Sequence, residues 1–258
     1  MIGGLSCPLA PAGTAASVVR GEGEGEGSSP FVKVRKPSFR PMSFRRYILA
    51  SRSPRRLELL RQIVHPELIV VQPPESSHEQ GFEDCGDIVA IFERLQQIAR
   101  HKAEQVREAL NAEEASLYER PRTLIISADT TVIASDADGS PIVLGQPPEH
   151  EDWREVVSDW FLRYYAGRTH LAATAVHVVT PDGRRAERLI ETRVTFRPDV
   201  DRWLNWYLLT GEPRGKAGGY ALQGAGSVFI DKVEGSLSNV VGLPLEALLE
   251  LFAEVDLR

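Results

Sequence analysis

Apolar positions along the chain switch repeatedly between strand-like alternation and helical spacing, and the order of the switches outlines an α/β protein. Arg46–Ala50 (RYILA) reads as a short buried strand, and Pro54–Val64 follows as a helix with Leu57, Leu60 and Val64 on one face. Leu68–Val71 predicts a second strand. Asp87–Leu110 predicts a long helix carrying Ile88, Ile91, Leu95 and Ile98 at helical spacing. Thr123–Ala128 is an apolar, β-rich run that ends at Asp129. Asp152–Tyr165 again has helical spacing, with Trp153, Val156, Val157, Trp160 and Tyr164 on its apolar side. Two longer strands, His170–Val179 and Glu187–Phe196, flank Pro181-Asp182-Gly183, whose Asp-Gly is a hairpin signal. A short helix over Val200–Leu208, a strand over Val228–Val233 and a closing helix over Leu245–Val255, entered through Pro244, complete the pattern. βα units around a central hairpin predict an α/β fold with a mixed sheet flanked by helices.

Residues 1–41 break the pattern. Gly21–Pro30 reads GEGEGEGSSP, too poor in apolar surface to offset the entropy of ordering it. The expectation is a tail over 1–41 and a folded domain over 42–258. Met42, just before the first strand, offers an alternative start that would place the tail outside the native protein; a regulatory tail is the other reading. No run approaches the ~20 apolar residues of a membrane span, and Met1–Val19 lacks the basic flank of a signal peptide. Cys7 and Cys85 lie too far apart in sequence for a disulfide framework or a zinc cluster, so a cytoplasmic protein with free thiols is expected. The net charge of −6 argues against a nucleic-acid polymer as partner, although one local basic pocket suffices for a small anion. His65, His78 and His101 have no HExxH-type spacing.

Three segments carry candidate chemistry. At Ser51-Arg52-Ser53-Pro54 a strand runs into a helix, with Ser53 placed as N-cap and Pro54 at the first helical position. Arg55 and Arg56 then put positive charge where the helix dipole is already positive. A bound phosphate would resolve that conflict, and solvated arginines on a capped surface helix are the plain alternative. In the second segment Asp129 closes an apolar strand, either as a water-activating or metal-binding carboxylate or as a turn-former. The third, Gly211–Gly224 (GEPRGKAGGYALQG), mixes five glycines with Arg214, Lys216, Glu212 and Gln223, a loop whose backbone can approach a ligand closely. Beyond it, Val233–Pro244 adds Glu234 and Asn239.

Taken together, these segments resemble the Maf family of nucleotide pyrophosphatases. LASRSPRRLELL at 49–60 is similar to the family's opening signature and SADTTVI at 127–133 to its ADT motif. GRTH at 167–170, TGEPRGKAGGYALQG at 210–224 and VEGSLSNVVGLPLEAL at 233–248 follow in the same order. The resemblance spans 45–254 and implies a mixed sheet with helices around a central cleft, as in inosine triphosphatases. It implies hydrolysis of nucleoside triphosphates to monophosphate and pyrophosphate. Asp129 would be general base and ligand of a divalent Mg²⁺ or Mn²⁺. Ser51, Arg55, Arg56 and Lys102 (in IARHKAEQV) would contact phosphates, with Glu212 and Lys216 in the same cleft. Arg55, Thr130 and Gln223 match the specificity positions of the branch acting on dTTP and UTP, and the family suggests a homodimer.

There is one departure: where the family usually reads Gly-Lys-Pro, this chain has Gly145-Gln146-Pro147. A neutral amide gives weaker hydrogen bonds than an ammonium, which keeps a non-catalytic nucleotide-binding regulator of cell division as an alternative. A purine-directed inosine triphosphate pyrophosphatase is disfavoured by the LASRSPRR opening. An acidic residue expected after the second strand aligns with either Glu75 or Glu79.

Overall fold

The computed structural model describes residues 44–75, 81–112, 122–149 and 152–256. The expectations for 1–41, and those for Cys7, His78 and Glu79, fall outside these residues. One seven-stranded sheet forms the centre: β1 (Arg46–Leu49), β2 (Ile69–Val71), β3 (Thr123–Ser135), β4 (Pro141–Leu144), β5 (Thr169–Val179), β6 (Arg185–Phe196) and β7 (Ile230–Glu234). The order is β2-β1-β3-β5-β6-β7, with β4 paired to β3. β2, β1 and β3 run parallel, and the remaining pairs are antiparallel, so the sheet is mixed as expected.

The six α-helices among the described residues are α1 (Pro54–Leu60), α2 (Ile88–Ala112), α3 (Trp153–Asp159), α4 (Asp201–Thr210), α5 (Leu237–Val241) and α6 (Leu245–Asp256). None is long and apolar enough to cross a membrane. α2 buries Ile91, Leu95, Ile98, Ala99, Ala103, Val106 and Leu110, and all of these but Ile98 pack in the clusters that hold the odd-numbered residues Ile125 and Ile133 of β3. The even-numbered Leu124, Ile126 and Ala128 face the opposite way, into the core closed by α1 and α6. This is the period-two alternation of a strand buried on both faces. Farther along the same face an aromatic core forms from Phe161, Tyr165, Phe196, Tyr207, Tyr220 and Phe229.

Several elements differ from the sequence expectation. β3 does not end at Asp129; it runs on through Thr130-Thr131-Val132-Ile133, whose β-branched side chains suit a strand, and β5 pairs with it from Ile125 to Ile133. The stretch expected as one helix over Asp152–Tyr165 is α3 followed by a π-helical turn over Trp160–Tyr165, which buries Phe161, Tyr164 and Tyr165 together. The hairpin loop is the full Pro181-Asp182-Gly183, with Gly183 at φ 93 and Thr180 N–H bonded to the Arg184 carbonyl at 2.8 Å. β4 and α5 have no counterpart in the hydrophobic pattern, being four and five residues long.

Candidate active site

What ends near Asp129 is the neighbouring strand. β1 pairs with β3 only as far as Leu49↔Ile126, because Ser51-Arg52-Ser53-Pro54 turns the chain into α1. On the same edge β4 begins pairing at Val132↔Leu144. Residues 127–131 therefore have no strand beside them on that edge, and the sheet is open there. Consecutive residues of a strand point to opposite faces, yet Asp129 and Thr130 both line one cleft of about 410 Å³, because the cleft passes through this opening.

On the α2 side of the sheet, Lys102 Nζ donates to Asp129 Oδ1 at 2.6 Å, with side chains only 12% and 13% exposed. Lys102 reaches the carboxylate because it neighbours the inward-facing Ala103 on α2, one turn along from Ala99, whose carbonyl accepts from Ser127 Oγ at 2.6 Å.

On the opposite side Arg56 is the organising residue. Its Nε donates to the Gly242 carbonyl (2.9 Å), Nη1 to Ser51 Oγ (3.2 Å) and Nη2 to Thr130 Oγ1 (3.1 Å). Three separate segments are thus fixed by one guanidinium fork. Thr130 Oγ1 in turn lies 3.0 Å from Thr174 Oγ1, which donates to the Asn239 carbonyl at 3.3 Å. Asn239 Nδ2 donates to the Ala172 carbonyl and to Thr192 Oγ1, both at 2.9 Å. Thr174, Thr192 and Asn239 are fully buried, so this polar chain ties α5 and the Gly242 turn to the sheet and holds Arg56 in place. Thr130 therefore touches Arg56 directly.

At the strand-to-helix junction Ser53 caps α1, accepting from Arg56 N–H at 3.4 Å, and Ser51 Oγ accepts from Ser53 N–H at 3.2 Å. With Arg56 as its second donor, the Ser51 hydroxyl keeps its own hydrogen to give to a ligand.

Three further cations reach the cleft held by main-chain carbonyls: Arg52 by Pro74 (3.3 Å), Arg55 by Gly215 (3.5 Å) and Lys216 by Glu212. Burial pushes the Lys216 ammonium below its usual range, the neighbouring Arg55 adds to that, and Glu212 opposes it. Carbonyl tethers fix these side chains without cancelling their charge. The described residues lining the cleft include five cations, Arg52, Arg55, Arg56, Lys102 and Lys216, and one acid, Asp129. Gln146 and Gln223 line it as exposed neutral donors.

Glu212 does not line the cleft. Its carboxylate accepts from Ala225 N–H (2.7 Å), Gly226 N–H (2.8 Å) and the Tyr207 hydroxyl (3.2 Å), stapling the glycine-rich loop to the following turn. Of the other residues singled out in sequence, Arg214 reaches the Glu149 carbonyl, and Glu75, exposed and next to the lining residue Pro74, is not itself a lining residue. Among the lining residues to which sequence reasoning gives no role are Arg52 and Tyr220. Arg52 stands inside the same strand-to-helix junction as Ser51, which was the available signal; Tyr220 is hidden in the loop and becomes visible only through its 2.8 Å bond to His170 Nε2.

Among the described residues no three His, Cys, Asp or Glu side chains gather into a metal-binding cluster. Asp129 offers hard carboxylate oxygen, which fits a divalent ion that takes its other ligands from water and phosphate oxygens.

A model of the Maf-like protein family matches residues 46–255. Proteins named dTTP/UTP pyrophosphatase are similar: the one from Brucella abortus (strain 2308) is 35% identical over 213 residues, covering 80% of this chain and 90% of that protein. The Burkholderia lata protein is 37% identical over 207 residues, with 80% and 90% covered, and that of Caulobacter vibrioides 35% over 212, with 82% and 96% covered. Among solved structures, a HAM1 protein from Coxiella burnetii aligns with a TM-score of 0.42 at 15% identity, covering 81% of this chain and 98% of that one. With the family match running across every strand of the sheet and every residue of the cleft described above, the chain belongs to the Maf family.

Proposed function

We propose that this cleft hydrolyses nucleoside triphosphates between the α- and β-phosphates, releasing a nucleoside monophosphate and pyrophosphate, with dTTP and UTP as substrates. The carrying observation is Asp129, the one carboxylate among the described lining residues, set among five cationic side chains in a cleft of nucleotide size. In this reading Asp129 takes the proton of the attacking water. Lys102, Lys216, Arg55 and the Ser51 hydroxyl hold the phosphates, a positioning that is most of what phosphoryl chemistry needs. Arg56 keeps the strand, the junction and the Gly242 turn in register around them. Arg55 and Gln223 face the nucleotide, and Thr130 contributes to selection through Arg56. Asp129 would hold Mg²⁺ or Mn²⁺ together with the phosphate oxygens; when bound, the ion neutralises phosphate charge. The names of the relatives support the pyrimidine preference, and removal of surplus or non-standard nucleotides is the corresponding cellular role.

A panel of nucleoside triphosphates with Mg²⁺ or Mn²⁺, read as phosphate after added inorganic pyrophosphatase, tests the proposal. We expect release from dTTP and UTP, and a loss of about 10²–10⁴-fold on Asp129→Asn. No release from any triphosphate would overturn it.

A further inference from the structure

Arg56 apart, the cations of the cleft are held in two different ways. Arg52, Arg55 and Lys216 lean on main-chain carbonyls, whereas Lys102 is held by the Asp129 carboxylate at 2.6 Å. Both partners are nearly nine-tenths buried, where an ion pair is screened little by solvent. Any divalent cation that uses Asp129 must displace this ammonium or share the carboxylate with it. Such an ion arriving alone would also meet the four other cations of the cleft lining, with Asp129 the one acid there among the described residues. A nucleoside triphosphate reverses the balance: its negative phosphates attract all five cations, supply the oxygen ligands that Asp129 alone cannot, and give Lys102 a new anionic partner.

We propose that Lys102 holds the place of the metal on Asp129 in the free cleft, so that the divalent ion binds only together with the nucleotide, as Lys102 passes from the carboxylate to the phosphates. The proposal rests on the hydrolytic reading above. It makes Lys102 a device that prevents free metal from loading the base, and it couples metal affinity to nucleotide affinity reciprocally.

The test is Mn²⁺ binding to the full chain, followed as protein-bound Mn²⁺ by water-proton relaxation enhancement against a protein-free Mn²⁺–analogue control, with and without α,β-methylene-UTP, which cannot be cleaved at the reacting bond. The wild type should bind Mn²⁺ at least about tenfold more tightly with the analogue than without it. Lys102→Met should bind Mn²⁺ alone at least about tenfold more tightly than the wild type, since one adjacent like charge at this depth is worth that or more. Lys102→Arg, which keeps the charge, should stay close to wild type, and Lys102→Met combined with Asp129→Asn should lose the gain. Equal Mn²⁺ affinity in wild type and Lys102→Met overturns the proposal, as does wild-type binding of Mn²⁺ that ignores the analogue while the analogue itself binds. Should Lys102→Met fail to fold, as circular dichroism would reveal, Lys102→Gln and the wild-type comparison carry the test. If the analogue does not bind at all, the hydrolytic reading falls, and the Mn²⁺-only comparison of wild type with Lys102→Met still decides the role of Lys102.

Discussion

Acid should weaken this protein through a histidine that takes no direct part in the cleft. His170 is 2% exposed, with its ring 4.3 Å from Tyr165, 5.1 Å from Phe196 and 5.4 Å from Tyr220, centroid to centroid. Nε2 meets the Tyr220 hydroxyl at 2.8 Å, and Nδ1 has no hydrogen-bond partner. Nothing there compensates an imidazolium, and burial pushes the pKa down from 6.5 to about 3. In the unfolded chain the same ring protonates near 6.5, so below that pH the unfolded state binds the extra proton and stability falls as pH falls. From the two pKa values the loss is about 2 kcal/mol between pH 7.5 and 5, and it keeps growing until the folded protein itself protonates near pH 3. The assay is urea unfolding at a series of pH values, comparing wild type with His170→Phe, which suits the aromatic surroundings and cannot titrate. The variant will carry a constant deficit of about 1–3 kcal/mol for the stranded Tyr220 hydroxyl, so the slope, not the level, is the readout. His177, also buried and also held below its usual pKa by burial, is common to both proteins and cancels. The wild type should lose about 2 kcal/mol more than the variant over this range. Parallel curves would refute the reasoning.

Three further outcomes are expected. Thr130→Val leaves Arg56 Nη2 and the Thr174 hydroxyl without their shared partner, which should destabilise the protein by about 1–3 kcal/mol and lower kcat/KM; Thr130→Ser should restore both, measured by thermal melting and steady-state kinetics. Gly218→Ala places a Cβ 2.6 Å from the Tyr165 hydroxyl and 2.7 Å from Val132 Cγ2 at a φ of 70, and should lower stability by at least about 1–3 kcal/mol while displacing the nearby Lys216, seen as a lower melting temperature and a raised KM. Gln146→Lys adds a charge to the cleft wall and should lower KM for the nucleotide by several-fold, about 1 kcal/mol, at low ionic strength, an advantage that shrinks as salt is raised.

How far the sequence spoke depended on the range of each cause. Helix α2 was legible because Ile91, Leu95 and Ile98, all buried in the structure, repeat at helical spacing, whereas Lys102 on the same helix stood out only through the family resemblance. The cap at Ser53 and the proline behind it were local and equally clear. The opening in the sheet was not local. It depends on where β1 stops and where β4, a four-residue strand, starts, and neither is marked in the sequence around Asp129. For that reason Asp129 was expected at a strand end, although it lies in the middle of β3. The roles of Arg56, Thr130 and Glu212 were hidden for a related reason. Their partners are Gly242, Thr174 and the amides of Ala225 and Gly226, and no periodicity connects residues 74 or 186 positions apart.

Charge at the junction now has a physical account. Arg55 and Arg56 follow the N-cap of α1, where positive charge opposes the helix dipole, and the structure uses the two differently. Arg56 turns back onto Ser51, Thr130 and Gly242 and works as a brace. Arg55 reaches across the cleft to the Gly215 carbonyl, beside Lys216, whose ammonium is depressed first by burial and further by the Arg55 charge. Holding like charges together in this way is unfavourable until an anion arrives, so under the proposed function part of the binding energy of a polyphosphate would be the relief of repulsion already built into the fold. The same reasoning explains why the tethers are carbonyls. A carboxylate bonded directly to Arg55 or Lys216 would stabilise the free protein more but, in the proposed reading, would have to be displaced by each incoming phosphate, whereas a carbonyl keeps the cation in place and leaves its field directed into the cleft.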